Sequence, residues 1–166
     1  MKICGNHLKK KTGYKVKTSE NLSSIIKKVL DQQRFAVLAT QSEGQPYCNL
    51  VAFAESENLK TLLYVTGRKT RKYANSLKSN RVSILVDNRT NQATDLNEAI
   101  AITALGTVEE VTEDDKDQLV EIYLSKHSDL QEFLQKPSNA LMKITVYDYI
   151  VATFKGVKRM PVIENK

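Results

Sequence analysis

Two things are missing from this sequence at the outset, a long apolar run and a cysteine framework, and each absence removes a class of protein. No unbroken apolar stretch exceeds Phe35 to Ala39, far short of the roughly 18 residues that a membrane-spanning helix needs. The two cysteines, Cys4 in a polar N-terminal segment and Cys48 in an expected strand, are too few and too differently placed for a disulfide scaffold, so both are expected as reduced thiols. The start of the chain lacks the apolar core and small-residue cleavage point of a secretory signal. A soluble, cytoplasmic protein is the expectation. The six glycines supply neither G-x-G-x-x-G nor G-x-x-x-x-G-K-[ST], and no G-x-S-x-G occurs. Rossmann, P-loop and serine-hydrolase motifs therefore drop out. His7 and His127 are the only histidines; with two scattered cysteines they make a poor donor set for structural zinc, and no metal is expected.

What the sequence has in excess is positive charge, formally +6, but it is unevenly placed. Residues 1–17 hold six lysines (Lys2, Lys9, Lys10, Lys11, Lys15 and Lys17) and no acid. Without these six, the 25 basic residues fall to 19, equal to the 19 acidic ones. The body is formally neutral. The chain thus divides into a basic, flexible tail, 1–17, and a single domain, 18–166, long enough for one hydrophobic core. Contact with nucleic acid or an anionic surface would fall on the tail. The aromatic interleaving of a base-stacking platform is absent, so nucleic acid is not the expected partner.

Beyond the tail, Thr18 or Ser19 offers a helix cap, and Leu22, Ile25, Ile26, Val29 and Leu30 recur at helical spacing. The period then changes. Phe35–Thr40 reads as a buried strand, Ser42–Gly44 as a turn, Gln45 to about Glu55 as a second strand, and Leu62–Thr66 as a third. The spacing predicts a short helix over 70–79 with Tyr73, Ala74 and Leu77 facing inward, a strand over 81–87, and a polar loop over 88–97. A long strand is expected over 99–110, with Gly106 marking a bulge or barrel corner. Thr112 and Asp115 resemble a capping box, opening a helix that runs to about Lys126, where His127 complements the negative helix end. A helical turn covers Leu130, Phe133 and Leu134, and 140–154 alternates as one or two strands with a bend near Asp148. About six strands without strand–helix–strand alternation imply a mainly β (α+β) fold, a small antiparallel barrel with flanking helices.

One segment carries chemistry. In Val65-Thr66-Gly67-Arg68-Lys69-Thr70-Arg71-Lys72 a strand ends, a glycine turn follows, and a helix opens with a hydroxyl and two cations. Helix-start N–H groups, the Thr70 hydroxyl and the charges of Arg71 and Lys72 suit a phosphate. Read from spacing alone, a solvated basic turn is the plainer alternative.

Three pieces together are similar to the pyridoxamine 5'-phosphate oxidase-like FMN-binding split β-barrels. They are Phe35–Thr40 with Gly44-Gln45-Pro46-Tyr47, Tyr64-Val65-Thr66 through Thr70-Arg71-Lys72, and Asn80-Arg81-Val82-Ser83-Ile84-Leu85-Val86. The resemblance covers about 35–110, and 140–154 more loosely. It implies a six-stranded antiparallel split β-barrel forming a homodimer with FMN at the interface. It also implies Thr70, Arg71 and Lys72 at the phosphate, Val65 and Thr66 at the strand end beside the cofactor, and Asn49, Leu50, Val51 and Ala52 along the flavin. Asn49 stands where the oxidase has an arginine, Ala101 where it has a glutamine, and Arg159-Met160-Pro161 replaces its Arg-Leu-x-Pro end. Vitamin B6 synthesis is accordingly not the expected activity. A flavin-dependent oxidoreductase of unidentified substrate and catalytic residues is the leading reading, since FMN itself carries the chemistry. The alternatives are a non-enzymatic flavin or nucleotide carrier or sensor, and a haem-degrading split barrel, which Gln45-Pro46-Tyr47 also resembles.

Overall fold

A computed structural model describes residues 19–162. The basic tail, Cys4, His7 and the side chains at the expected cap, Thr18 or Ser19, lie outside what it describes. Among the described residues there are seven strands: β1 (Phe35–Ser42), β2 (Gln45–Glu55), β3 (Thr61–Gly67), β4 (Arg81–Asp87), β5 (Ala101–Glu110), β6 (Asn139–Thr153) and β7 (Gly156–Pro161). Five helices accompany them: α1 (Ser19–Gln32), α2 (Arg71–Lys78), α3 (Asp95–Glu98), α4 (Lys116–Lys126) and α5 (Gln131–Gln135). None of the described helices is long and apolar enough to cross a membrane.

All strand pairs are antiparallel, in the order β3-β2-β1-β4-β5-β6-β7, and a further pairing of β3 with β6 closes six strands into a barrel. Burial alternates along β1, β4 and β5, as a sheet with one inward face requires. Along its whole length β1 is in register with β2, whereas β2 meets β3 only over Phe53–Glu55. The β2–β3 seam is therefore unpaired on the N-terminal side of Phe53, and this is the split.

Two apolar clusters hold the fold. Leu38, Phe53, Tyr64, Ile84 and Met142 fill the barrel, and Leu22, Ile26, Val29 and Leu30 of α1 pack into the same cluster. The helical spacing of these four residues is thus accounted for. On the outside, Leu119 and Tyr123 of α4 cover Ala54, Leu63, Val65 and Leu141.

Gly106 marks a corner, as expected: the β5–β6 register shifts between Leu105 and Gly106. A Cβ there would lie 2.5 Å from Ile144 Cγ2 and 2.7 Å from the Thr145 carbonyl oxygen, so the strands approach more closely than any other residue allows.

Several expectations need correction. The segment expected as one or two strands over 140–154 is the single strand β6, ending at Thr153, and the chain returns through Gly156, at φ 148°, into β7, an extra strand beside the six of the barrel that the sequence did not announce. The supposed loop 88–97 contains the start of α3; the Asp95 carboxylate accepts the N–H of Asn91 at 2.7 Å and of Thr90 at 3.0 Å, drawing the loop tight. Thr112 makes no capping bond, because the chain enters a 3₁₀ turn, Glu113–Asp115, before α4 begins. In α2 the inward face is polar: Asn75 and Ser76 are buried, while Ala74 and Leu77 are exposed. Apolar spacing was a poor guide there because hydrogen bonds to the barrel, described below, set the helix phase.

Candidate functional site

Strand β3 ends at Gly67, three residues before a helix start, and the Thr70 side chain closes that start. Its hydroxyl accepts the Tyr73 N–H at 3.4 Å and donates to the Gly67 carbonyl at 2.8 Å. With that proton committed, the Thr66 hydroxyl, 2.9 Å away, is the donor between the two threonines. The turn is therefore held from inside, and the first N–H groups of α2 face outward without intrahelical acceptors.

Arg71 and Lys72 occupy the first two positions of this helix. Its first turn contains no acid, and among the described residues neither cation has a carboxylate partner. The Arg71 guanidinium lies 4.7 Å from the centre of the Tyr47 ring on β2. Lys72 is half-buried, and desolvation pulls its ammonium below the usual lysine range. A desolvated cation without a counter-charge is costly, and an anion relieves that cost.

On β2, Asn49 stands opposite Leu38 of the inward-facing set, and both its amide oxygen and its amide nitrogen are buried without a partner. Such groups normally find one. Leu50 points the other way and is 69% exposed; Ala52, half-buried, faces outward opposite Phe35. Val51 is buried in the barrel core and Val65 in the cluster under α4, so each offers a ligand only its backbone. Thr66, Thr70, Arg71 and Lys72 come together where β3 ends and α2 begins, with Tyr47 of β2 against Arg71.

Beneath α2 lies a polar layer that the sequence reading missed. Asn75 Nδ2 donates to Thr40 Oγ1 at 3.1 Å, and Ser76 Oγ donates to the Lys72 carbonyl at 2.8 Å with Tyr64 Oη 3.4 Å away. Burial pushes the Tyr64 phenol up to about 12, so it is neutral here. Tyr47 was also missed as a site residue, although its two-residue spacing from Asn49 puts both on one strand face.

Two clefts lie at opposite ends of β5. One of about 500 Å³ opens beside the same turn, between Arg68, Glu110, Lys136 and Asn139, over Val120 and Leu141. The other, about 430 Å³, is an apolar groove on the outer sheet face, lined by Leu85, Ala101, Ala152 and Phe154. That face continues in register through Leu85, Val37 and Leu50, and Phe35, Leu50 and Phe154 on it are well over half exposed.

His127 caps the end of α4 but carries no charge to it. The residue is 1% exposed, its Nε2 lies 2.8 Å from the Phe53 carbonyl oxygen, and desolvation holds the imidazole below the usual histidine range. The expected complement to the helix end is in fact a neutral buried ring. Lys126, the residue before it, supplies the positive charge in the last turn.

The sequence model of the family described as pyridoxamine 5'-phosphate oxidase matches residues 22–150. Among solved structures, the fold is similar to a heme binding protein from Mycobacterium smegmatis, with a TM-score of 0.75 and 12% identity over 90% of this chain. This chain spans only 60% of that protein. General Stress Protein 26 from Bacillus anthracis superposes with a TM-score of 0.64 and 19% identity, covering 84% of this chain and 99% of its own. A FAD-binding protein from Mesorhizobium loti gives 0.58 and 23% identity, covering 74% of this chain and 88% of its own. No curated protein matches the sequence.

Proposed function

The chain belongs to the pyridoxamine 5'-phosphate oxidase family, and from that membership we propose that it is an FMN-binding flavoprotein acting as an oxidoreductase in the cytoplasm. One observation carries the reading: Lys72 in the first turn of α2 is half-buried with no carboxylate partner among the described residues, and β2, whose Tyr47 ring lies against the neighbouring Arg71, carries the buried, unpartnered amide of Asn49. These groups fit a phosphate monoester. Arg71, Lys72 and the helix-start N–H groups would hold its oxygens, with Thr66 and Thr70 keeping the turn in place. The backbone of Asn49, Leu50, Val51, Ala52 and Val65 would flank the ring system.

FMN, when bound, supplies hydride or electron transfer, so the protein needs no side-chain acid or base of its own for that step. Its task is to hold the phosphate, align the ring along β2 and limit solvent access. A homodimer would serve the last purpose. The apolar outer face through Leu50, Val37 and Leu85 supports it, since an uncovered antiparallel sheet is normally polar on its solvent side.

The haem reading has less support. His127 is buried, with Nε2 2.8 Å from the Phe53 carbonyl oxygen and Nδ1 3.4 Å from the Arg34 guanidinium, leaving neither ring nitrogen for an iron. A carrier or sensor would use the same phosphate site and differ only in lacking turnover.

The test is titration of the purified protein with FMN and with riboflavin, followed by absorption of the protein fraction after gel filtration. Retained FMN on a dimer, with riboflavin bound much more weakly, is the expected result. Equal binding of the two flavins removes the phosphate site, and no retained flavin removes the flavoprotein reading. Reduction of the bound flavin by a donor, with reoxidation by an acceptor, separates the oxidoreductase from the carrier.

A further inference from the structure

Four cations crowd the turn into α2, Arg68, Lys69, Arg71 and Lys72, yet the structure does not point them one way. Arg68 is turned back into the fold. Its N–H donates to the Ser138 carbonyl at 2.9 Å, its guanidinium donates to the Pro137 carbonyl at 2.5 Å and to the Asn139 carbonyl, and it forms an ion pair with Glu110 at the end of β5. The second Glu110 oxygen accepts the Tyr73 hydroxyl at 2.6 Å. Tyr73 is the third residue of α2, and its N–H is the one that Thr70 caps.

We infer that Glu110 is a positioning residue for the anion site at the start of α2, an inference that rests on the phosphate-binding reading above. One carboxylate grips the residue two before the cap and the residue three after it, so the helix start is braced on both sides from a distant strand. Inside the turn, the Thr66–Thr70–Gly67 bonds tie the cap to the end of β3. The Glu110 contacts hold the same helix start against the end of β5, adding a second anchor to the one that Asn75 and Thr40 make farther along the helix. The ion pair also occupies Arg68, while the Pro137 and Asn139 carbonyls keep it aimed away from the helix start, so Arg68 does not compete with Arg71 and Lys72 for the phosphate. Glu110 is the leading cause of the upward shift of both the Arg68 guanidinium and the Tyr73 phenol, as expected of an anion bonded to each.

The role is specific to the phosphate. Loosening the helix start misplaces the groups that hold the phosphate and leaves the ring-flanking backbone of β2 untouched. Glu110→Ala should therefore weaken FMN about five- to tenfold, a fraction of what losing a charged hydrogen bond outright costs. Riboflavin affinity should not change, and Glu110→Gln, which keeps an acceptor, should recover most of the loss. Tyr73→Phe removes a single hydroxyl and tests the same brace if Glu110→Ala folds poorly; its loss should be smaller and should vanish in the Glu110→Ala background.

Equal loss for both flavins means general destabilisation and overturns the inference. So does unchanged FMN affinity in both variants, or a gain, which would mean that Glu110 withholds Arg68 instead of bracing the helix. Failure of the phosphate reading looks different: wild-type protein then binds no FMN, or Lys72→Ala has no effect.

Discussion

Asn75 Nδ2 lies 3.1 Å from Thr40 Oγ1, and both side chains are buried. This contact seats α2 on the barrel where an apolar helix would have used a leucine. Thr40→Val leaves the Asn75 amide without its acceptor and should cost about 1–3 kcal/mol, the penalty of a buried polar group left unpaired. Thr40→Val with Asn75→Leu should cost less than the two single changes together, because no orphan remains. Urea unfolding of the four proteins measures both. Additive losses would mean that the contact does not couple the two residues.

Lys72→Ala removes the half-buried cation from the proposed phosphate site. A charged hydrogen bond contributes about 1.5–3 kcal/mol, so FMN affinity should fall roughly 10- to 150-fold. Folding stability should not fall, because the variant also removes a desolvated charge that has no carboxylate partner among the described residues. Fluorescence titration and thermal unfolding on the same sample check the two halves. A stability loss without an affinity loss would assign Lys72 to the fold.

How much of this was legible in the sequence depends on what each element buries. The apolar runs in Phe35–Thr40 and Arg81–Asp87 and the spacing of Leu22, Ile26, Val29 and Leu30 were legible because Ala36, Leu38, Val82, Ile84, Val86 and the four helix residues share one apolar cluster. In α2, hydrogen bonds to Thr40 and Tyr64 decide the helix phase, so Leu77 was placed inward and is in fact 65% exposed. The strand β7 has no buried residue, which leaves no apolar signal to read. At the site, residue types in a local run were visible, as with Thr70, Arg71 and Lys72. The partners of Arg68 lie 42 to 71 residues away along the chain, and no local pattern announces them.

Acid should weaken the fold through His127. Desolvation holds the folded imidazole below its ordinary 6.5, helped by the charges of Arg34 and Lys126 and opposed by the Phe53 carbonyl. The unfolded chain therefore binds the proton first. Stability from this residue is fully present above about 6.5 and is lost as pH falls from there toward the folded value. Glu55, pushed up by burial, acts with the opposite sign at lower pH, because there the folded state takes up the proton first. Comparing urea midpoints of wild type and His127→Gln from about pH 7.5 to 5.5 isolates the histidine. The variant's profile should be flatter over that range, and parallel profiles would show that His127 does not titrate in it.

Leu50→Glu tests the outer face without disturbing the core. Leu50 is 69% exposed on the single chain, so the change costs a monomer almost nothing, usually within about 0.5 kcal/mol. In a dimer built on Leu50, Val37 and Leu85 it would bury an unpaired carboxylate, which is strongly unfavourable. The expected outcome is a shift from dimer to monomer in sedimentation, with an unchanged circular dichroism spectrum. A variant that stays dimeric would place the interface elsewhere.

The barrel corner at Gly106 sets the last expectation. An added Cβ meets the Thr145 carbonyl oxygen at 2.7 Å, and that atom belongs to a strand paired on both sides, with β5 and with β3, so it cannot move aside cheaply. Gly106→Ala should therefore destabilise by about 2–3 kcal/mol, in the range of an overpacked core. Gly67 is the contrast: a Cβ there would sit 3.5 Å from Asn139 Oδ1 and 3.6 Å from Thr70 Cγ2, ordinary contact distances. Gly67→Ala should change stability by less than about 1 kcal/mol and could raise it, since alanine restricts the unfolded chain more than glycine does. Similar losses at both positions would mean that the close β5–β6 approach is not what requires glycine at 106, whereas a large loss at 106 alone ties the closure of the barrel to that single missing side chain.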